Sequence, residues 1–429
     1  MSAPTVAELA RRDLFWKVWA DPRRADLELG TRAGVLPYFV PVGSPLGREV
    51  VVEGAARLMF GSNNYLGLAD DPRVIAAAQG AVGRYGTGCT GSRLMNGTLE
   101  LHLELEDMLA KWMRRDAALV FTAGYLANLA TLATLCGSGD VIVGDARNHA
   151  SIEDGARLSG ARTVSVRHND LVQLAAKLRR IDAPTMVVWD AVFSMEGDAV
   201  DVERLVDTAR AAGARTLLDE AHSLGVLGPD GAGLAAGMSQ PPDLVMGTFS
   251  KSLASSGGVI AGDRDVIEHL RIHARPFVFT ASAVPAAIAA AHAAIEIAIA
   301  EPERAETARS TARRLADGLR THGFDVAGGV AAIVGVRVHD EWAATLAWRA
   351  LFDAGIYVNV GLYPAVPRGE AVLRLSTTAQ HTDADIDRCV AEFTRLVHVG
   401  DGPGHSEFAE SGRSGARAAR PGAPRAERT

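Results

Sequence analysis

Five short polar stretches hold the residues whose types could do chemistry. "GTFSKSLASSGG", from Gly247 to Gly258, places Lys251 among serines, a threonine and glycines, just after the apolar run "DLVM". No acidic residue stands beside that lysine in the chain. "LLDEAHSLG" carries Asp219 and His222, "DAVFSMEGD" carries Asp190 and Ser194, and "ARNHAS" carries His149. The fifth is the glycine turn of "AGYLANLATLATL", with Gly124 and Tyr125. A buried amine is held neutral, so it can condense with an aldehyde and move a proton. A carboxylate can keep a proton on a heterocyclic nitrogen. One histidine can stack on a planar ring while another hydrogen-bonds a phenolic oxygen. A glycine turn that opens a helix offers free backbone N–H groups to a phosphate. Pyridoxal 5′-phosphate (PLP) is a cofactor that uses all five, with the lysine and the carboxylate as its main protein partners.

Each residue alone has a plainer explanation. Lys251 could be a surface lysine, Asp219 a helix N-cap, and His149 and His222 ordinary loop histidines. Position in the chain argues for the chemical reading. The apolar runs "AALVFT" (117–122), "DVIVGD" (140–145), "TMVVW" (185–189), "ARTLLD" (214–219) and "DLVMGT" (243–248) each end at one of the five stretches. With "RTVSV" (162–166) and "GVIAG" (258–262) they make seven strand candidates, several separated by helical segments such as "VERLVDTARAAG". Unbroken apolar strands alternating with helices predict a mostly parallel seven-stranded sheet with helices on both faces. In such sheets ligands bind beyond the carboxyl ends of the strands.

The rest of the chain frames that sheet. Residues 1–60 read as an N-terminal helix, an irregular arm and a small hairpin, and 61–285 as the large cofactor domain. Residues 286–400 read as a smaller C-terminal α+β domain containing "AAIVGVRV", "IYVNV" and "AVLRLSTTA". The last segment, 401–429, is rich in Gly, Ala, Pro and Arg, and is expected to be disordered. The Ala-rich stretch "ASAVPAAIAAAHAAIEIAIA" contains Pro285, His292 and Glu296, so it is expected to be a buried helix rather than a membrane span.

Composition excludes several classes. The chain has 429 residues, 48% of them hydrophobic, and a formal net charge of −7, which disfavours nucleic acid as a partner. Three unpatterned cysteines give neither a disulfide framework nor a metal site and fit a cytoplasmic location. The first residues lack the apolar core of a signal peptide. "GTGCTG", Gly86–Gly91, matches a dinucleotide fingerprint. It follows a helical pattern instead of a strand, so a glycine loop near the cofactor or a partner subunit fits better.

Taken together, "GSNNYLGL", "GTGCTGSRLMNGTLELHLELE", "NHAS", "VFSMEGD", "LLDEAHSLGVLGPDGAG", "GTFSKSL", "RPFVFTAS" and "LRLSTTAQHT" resemble the α-oxoamine synthases among the fold-type I PLP enzymes, over about residues 12–398. The wording of several of these motifs looks most like the bacterial serine palmitoyltransferase branch. The resemblance implies a homodimer with shared active sites that joins a small amino acid, serine foremost, to an acyl thioester, with loss of CO2. The acyl carrier would be coenzyme A or a carrier protein. It implies that Lys251 holds the cofactor covalently, that Asp219 pairs with the pyridine nitrogen, and that His222 meets the phenolic oxygen. His149 would stack on the ring. Gly124, Tyr125, Thr248 and Ser250 would surround the phosphate, and Thr280 or Ser282 would reach a phosphate across the dimer. Asn63 would lie near the substrate and Arg374 would clamp its carboxylate. Activity of the 8-amino-7-oxononanoate synthase or glycine C-acetyltransferase type, or an aminotransferase or aldolase outcome, stays open. This chain departs at Ala254, where such enzymes usually carry glycine, and at Asp190-Ala191, where many carry glutamate-glycine.

Overall fold

The computed structural model describes residues 13–400; the tail expected to be disordered, 401–429, lies outside them. A hairpin, β1 (Glu49–Val52) and β2 (Ala55–Met59), precedes the main sheet. That sheet contains β3 (Ala117–Phe121), β4 (Val141–Asp145), β5 (Arg162–Val166), β6 (Thr185–Asp190), β7 (Arg215–Asp219), β8 (Leu244–Thr248) and β9 (Gly258–Gly262). Its strand order is β3-β9-β8-β7-β6-β4-β5. Only β9 runs against its neighbours, pairing antiparallel with both β3 and β8, and the remaining pairs are parallel. The seven strands predicted from apolar runs are the seven observed. Every residue of β3, β8 and β9 is buried, as strands covered on both faces must be. The outer strand β5 is mostly exposed, in keeping with its weaker pattern.

Capping residues fix where several helices begin. Asp71, Asp170, Asp201, Asp263 and Asp340 each accept a backbone N–H of the first turn. Two helices beside the candidate site depart from that pattern. Ala150–Ser159 is capped by a histidine side chain, and Gly124–Leu135 has no side-chain cap. Both begin at the end of a main-sheet strand, on the side where the candidate catalytic residues gather.

A second sheet, of order β10-β11-β14-β13, is formed by β10 (Val326–Gly328), β11 (Ile333–His339), β13 (Asn359–Gly361) and β14 (Ala371–Ser376). Here the structure refines the sequence reading. "IYVNV" is two short strands that serve different sheets. Its first half, β12 (Ile356–Tyr357), pairs parallel with β2, and β13 pairs antiparallel with β14. The N-terminal hairpin thus shares a hydrophobic core with the C-terminal sheet, with Val50, Val52 and Leu58 packing among Trp348, Phe352 and Leu373. The Ala-rich stretch is a helix, Pro285–Ala300, with Ile288, Ala291, Ala294 and Ile295 fully buried. Among the described residues no helix is long and apolar enough to cross a membrane.

Candidate active site

Lys251 follows β8 by three residues, and the walls of three cavities meet at it. The first, of about 270 Å³, is lined by Gly124, Tyr125, His149, Asp190, Ser194, Asp219, His222, Thr248 and Ser250 as well as Lys251. The main sheet therefore brings together nine of the residues singled out for the cofactor, and Asp190. The second cavity, about 670 Å³, shares His149, Ser194, His222 and Lys251 and adds Asn63 and Arg374. The third, about 450 Å³, lies against Asn63, Ser250, Lys251 and Ala254. Thr280 and Ser282 line none of the three. They sit next to the glycine loop, where Ser282 N donates to the Gly91 carbonyl at 2.9 Å.

Two acids act on the lysine despite their distance in sequence. Burial pushes the Lys251 amine down to about 8, opposed by the charges of Asp219 and Asp190 and reinforced by Arg374. Asp219 and Asp190 face one another across neighbouring strands β7 and β6. They are not equivalent. Asp219 Oδ2 accepts from Asn128 Nδ2 at 2.6 Å and Oδ1 from the Ala221 N–H at 2.9 Å. The plainer explanation of Asp219 as a turn-capping acid thus describes one of its oxygens. Asp190 is held well above the usual carboxylate range, first by burial and then by the charge of Asp219. Its Oδ2 accepts from the His149 N–H at 2.9 Å.

The histidines are set by their neighbours. Ser151 Oγ accepts from Asn128 Nδ2 at 2.9 Å, so its own proton goes to His149 Nδ1, 2.7 Å away. The fully buried Tyr65 hydroxyl lies 2.7 Å from His222 Nδ1. At His149 Nδ1 is thereby the acceptor and Nε2 carries the proton, while the Tyr65 hydroxyl is also 3.2 Å from Asn63 Oδ1. Burial followed by the charges of Lys251 and Arg374 holds His222 well below the usual imidazole range. Desolvation and Lys251 also lower His149, against Asp219. Both rings are neutral near pH 7.

Gly124 and Tyr125, which open the uncapped helix Gly124–Leu135 with its free first N–H groups, line the 270 Å³ cavity. A Cβ on Gly124 would fall 2.8 Å from Thr248 Oγ1 and 2.9 Å from Met246 Cε, so no side chain fits there. Thr248 Oγ1 and Ser250 Oγ are 3.0 Å apart beside it. Free N–H groups, two hydroxyls and an absent side chain make an anion cradle.

Arg374 differs from these groups. It lies within strand β14 and is only 5% exposed. Its Nε donates to the Ser194 carbonyl at 2.7 Å, Nη1 to Ser376 Oγ at 2.7 Å, and Nη2 to Asn63 Oδ1 at 2.8 Å and to Tyr65 Oη at 3.3 Å. Among the described residues no carboxylate pairs with it. A buried cation without a counter-charge is costly unless a ligand anion completes it.

Sequence reasoning left Tyr65 and Asn128 without roles. Tyr65 sits inside "GSNNYLGL" and links His222 to Arg374. Asn128 is the one amide in the otherwise apolar "GYLANLATLATL", and that anomaly was a readable signal. Of the N-terminal arginines, Arg23 and Arg24 pair on the surface with Asp21 and Glu28, and Arg48 pairs with Asp385. Ala254 has a φ of 50°, the left-handed conformation that favours glycine, and its N–H closes a turn onto the Lys251 carbonyl at 3.0 Å.

The chain matches the family described as aminotransferase class I and II over residues 57–393, and it belongs to that family. Its relatives place it among the α-oxoamine synthases. It is 43% identical over 367 residues to the serine palmitoyltransferase of Sphingobacterium spiritivorum, covering 85% of this chain and 92% of that protein. It is 42% identical over 392 residues to the putative 8-amino-7-oxononanoate synthase 2 of Mycobacterium tuberculosis, covering 91% of this chain and spanning about half (51%) of that protein. Its fold is similar to that of serine palmitoyltransferase from S. paucimobilis solved with a bound PLP–myriocin aldimine. There the TM-score is 0.87 and the identity 36%, over 90% of this chain and 100% of that one.

Proposed function

We propose that this protein is a PLP-dependent C-acyltransferase that condenses a small amino acid, serine first among them, with an acyl thioester, releasing CO2 and the thiol. The observation that carries this reading is Arg374. A buried guanidinium without a carboxylate partner among the described residues lines the same cavity as Lys251, His149 and His222. An amino-acid carboxylate is the anion that would place a substrate Cα beside Lys251 Nζ. The residues also fit the cofactor. The cradle at Gly124, Thr248 and Ser250 would take the phosphate, with Tyr125 and Ser194 at its borders. Asp219, fixed by Asn128, would keep a proton on the ring nitrogen. His222 would offer Nε2–H to the phenolic oxygen, and His149 would lie against the ring. Lys251 would hold the aldehyde carbon. When bound, PLP supplies an electron sink for the negative charge that forms at the substrate Cα.

The remaining work falls to this chain. With its amine displaced towards about 8, Lys251 takes the Cα proton and returns one after CO2 leaves. A positioned base of this kind contributes about 10²–10⁴-fold. Tyr65 holds the His222 ring in place while also touching the clamp. The small residues around Lys251 leave room for its amine to swing between these tasks.

We place Thr280 and Ser282 in the cofactor site of a second copy of the chain, which makes the active form a homodimer. Two observations support this: among the described residues the buried Ser282 Oγ has no partner, and Phe279, three residues before it, and Met95, three residues past the Ser92 that bridges to Ala281, are 73% and 78% exposed. We place the reaction in the cytoplasm, in keeping with three unpaired cysteines. The Mycobacterium relative favours a second reading, activity of the 8-amino-7-oxononanoate synthase type. A matrix of serine, alanine and glycine against acyl-CoA and acyl-carrier-protein thioesters, followed by thiol release, decides between them. Serine with long acyl chains is expected to be fastest. Formation of a keto acid with pyridoxamine phosphate and no thiol would reject both.

A further inference from the structure

One half-buried histidine is built unlike those in the active site. His168 lies just past β5, its side chain 22% exposed, with a carboxylate against each ring nitrogen. Nδ1 is 3.0 Å from Asp145 Oδ1, at the end of β4, and Nε2 is 2.9 Å from Asp198 Oδ2. A neutral imidazole has one N–H, so one carboxylate would face a lone pair. Both contacts are attractive only if the ring carries two protons. The edge of the arrangement is closed by Phe193, whose ring packs T-shaped on His168 at 4.4 Å. Asn169 adds a second tie, donating from Nδ2 to Asp198 Oδ2 at 2.7 Å and from its backbone N–H to Asp145 Oδ2 at 2.6 Å.

The tied segment bears on the active site. Residues 193–198 form a tight loop, closed by Phe193 N donating to the Asp198 carbonyl and Gly197 N donating to the Phe193 carbonyl, both at 2.9 Å. On its outer side Glu196 pairs with Arg147 at 3.1 Å and Arg337 at 2.8 Å. At its tip is the Ser194 carbonyl that receives Arg374 Nε. The chain of contacts thus runs from Asp145 through His168 and Asp198 to Ser194 and Arg374.

We propose that His168 is a positioning residue for the amino-acid clamp: a doubly protonated imidazole that ties the 193–198 loop to the end of β4 and so fixes the carbonyl that orients Arg374. This inference rests on the reading of Arg374 as a carboxylate clamp. The charged groups facing the ring are Asp145 from β4 and Asp198 from the loop; Arg147 and Glu196 flank the loop's outer face. The two carboxylates outweigh burial and raise the His168 pKa to about 9. Its proton is therefore present at neutral pH and lost as pH rises through that value.

The test is the L-serine dissociation constant of the PLP-loaded enzyme, read from the cofactor absorbance, for wild type, His168→Gln, Asp198→Asn and the double variant. At pH 7.5 each single variant is expected to bind serine about tenfold more weakly, and the double variant no worse than the singles. The ratio of His168→Gln to wild type should shrink towards one above pH 9, where the wild-type ring loses its charge. A purely structural role would leave that ratio constant with pH, and that result overturns the proposal. So does wild-type serine affinity in His168→Gln, or losses that simply add. Should His168→Gln not fold, Asp198→Asn, which keeps the ring, carries the test through the same affinity loss at pH 7.5. Failure of the reaction assignment looks different: wild type would then bind serine without releasing thiol from any thioester.

Discussion

The two sheets deliver chemistry in opposite ways. The seven-stranded sheet uses its strand ends, where β4, β6, β7 and β8 run out into His149, Asp190, Asp219 and Lys251. The four-stranded sheet uses the middle of a strand, where Arg374 interrupts an otherwise apolar β14. Groups at strand ends can turn, exchange protons and respond to one another's charge, as Asp190 does to the charge of Asp219. A group inside a strand is fixed by its ladder and by side-chain ties on every side. The first arrangement suits bond making, the second suits recognition. Between them stands Tyr65, bonded to His222 on one side and Arg374 on the other.

If that division is right, substitutions on the large sheet should reduce turnover and those on the small sheet should weaken amino-acid binding. The largest effect is expected at Lys251. Lys251→Ala removes anchor and base together and should lower thiol release by about 10⁴-fold or more, measured at saturating serine. Asp219→Asn removes the carboxylate facing the ring nitrogen; an ion pair worth roughly 4 kcal/mol at an effective dielectric of about 20 implies a loss in kcat near a thousandfold. Arg374→Lys should instead weaken serine binding by about 10- to 100-fold, with a smaller change in kcat, because an ammonium cannot reproduce the fork of bonds to Ser194, Ser376 and Asn63. A fall in kcat at Arg374 equal to that at Asp219 would erase the distinction. The smallest effect tests the loop behind the lysine. Ala254→Gly should raise unfolding free energy by about 1 kcal/mol through relief of its left-handed backbone, seen as a shifted denaturation midpoint without loss of turnover.

What could be read from the chain follows the same division. An apolar strand announces itself, and the polar residue that ends it is conspicuous, so the seven strands and the groups at their ends were legible. Arg374 was reached only through resemblance, because one charge in "AVLRLS" does not say which way its side chain points. The sharing of "IYVNV" between two sheets was hidden, since period-2 patterning does not name a strand's partner. Tyr65 and the tie between His168 and Asp198 depend on contacts between residues far apart in sequence. Ala254 raised a question that the backbone answers, since its methyl group is carried in a conformation suited to glycine.

The central claim is that the amine of Lys251 is the group that holds PLP. The chain has four lysines: Lys17, Lys111, Lys177 and Lys251. Reduction of the PLP-loaded protein with borohydride, followed by digestion and mass mapping, should find the phosphopyridoxyl group on the peptide containing Lys251 and on none of the other three. A protein that carries the label elsewhere, or that takes up no label while fully folded, would contradict the account.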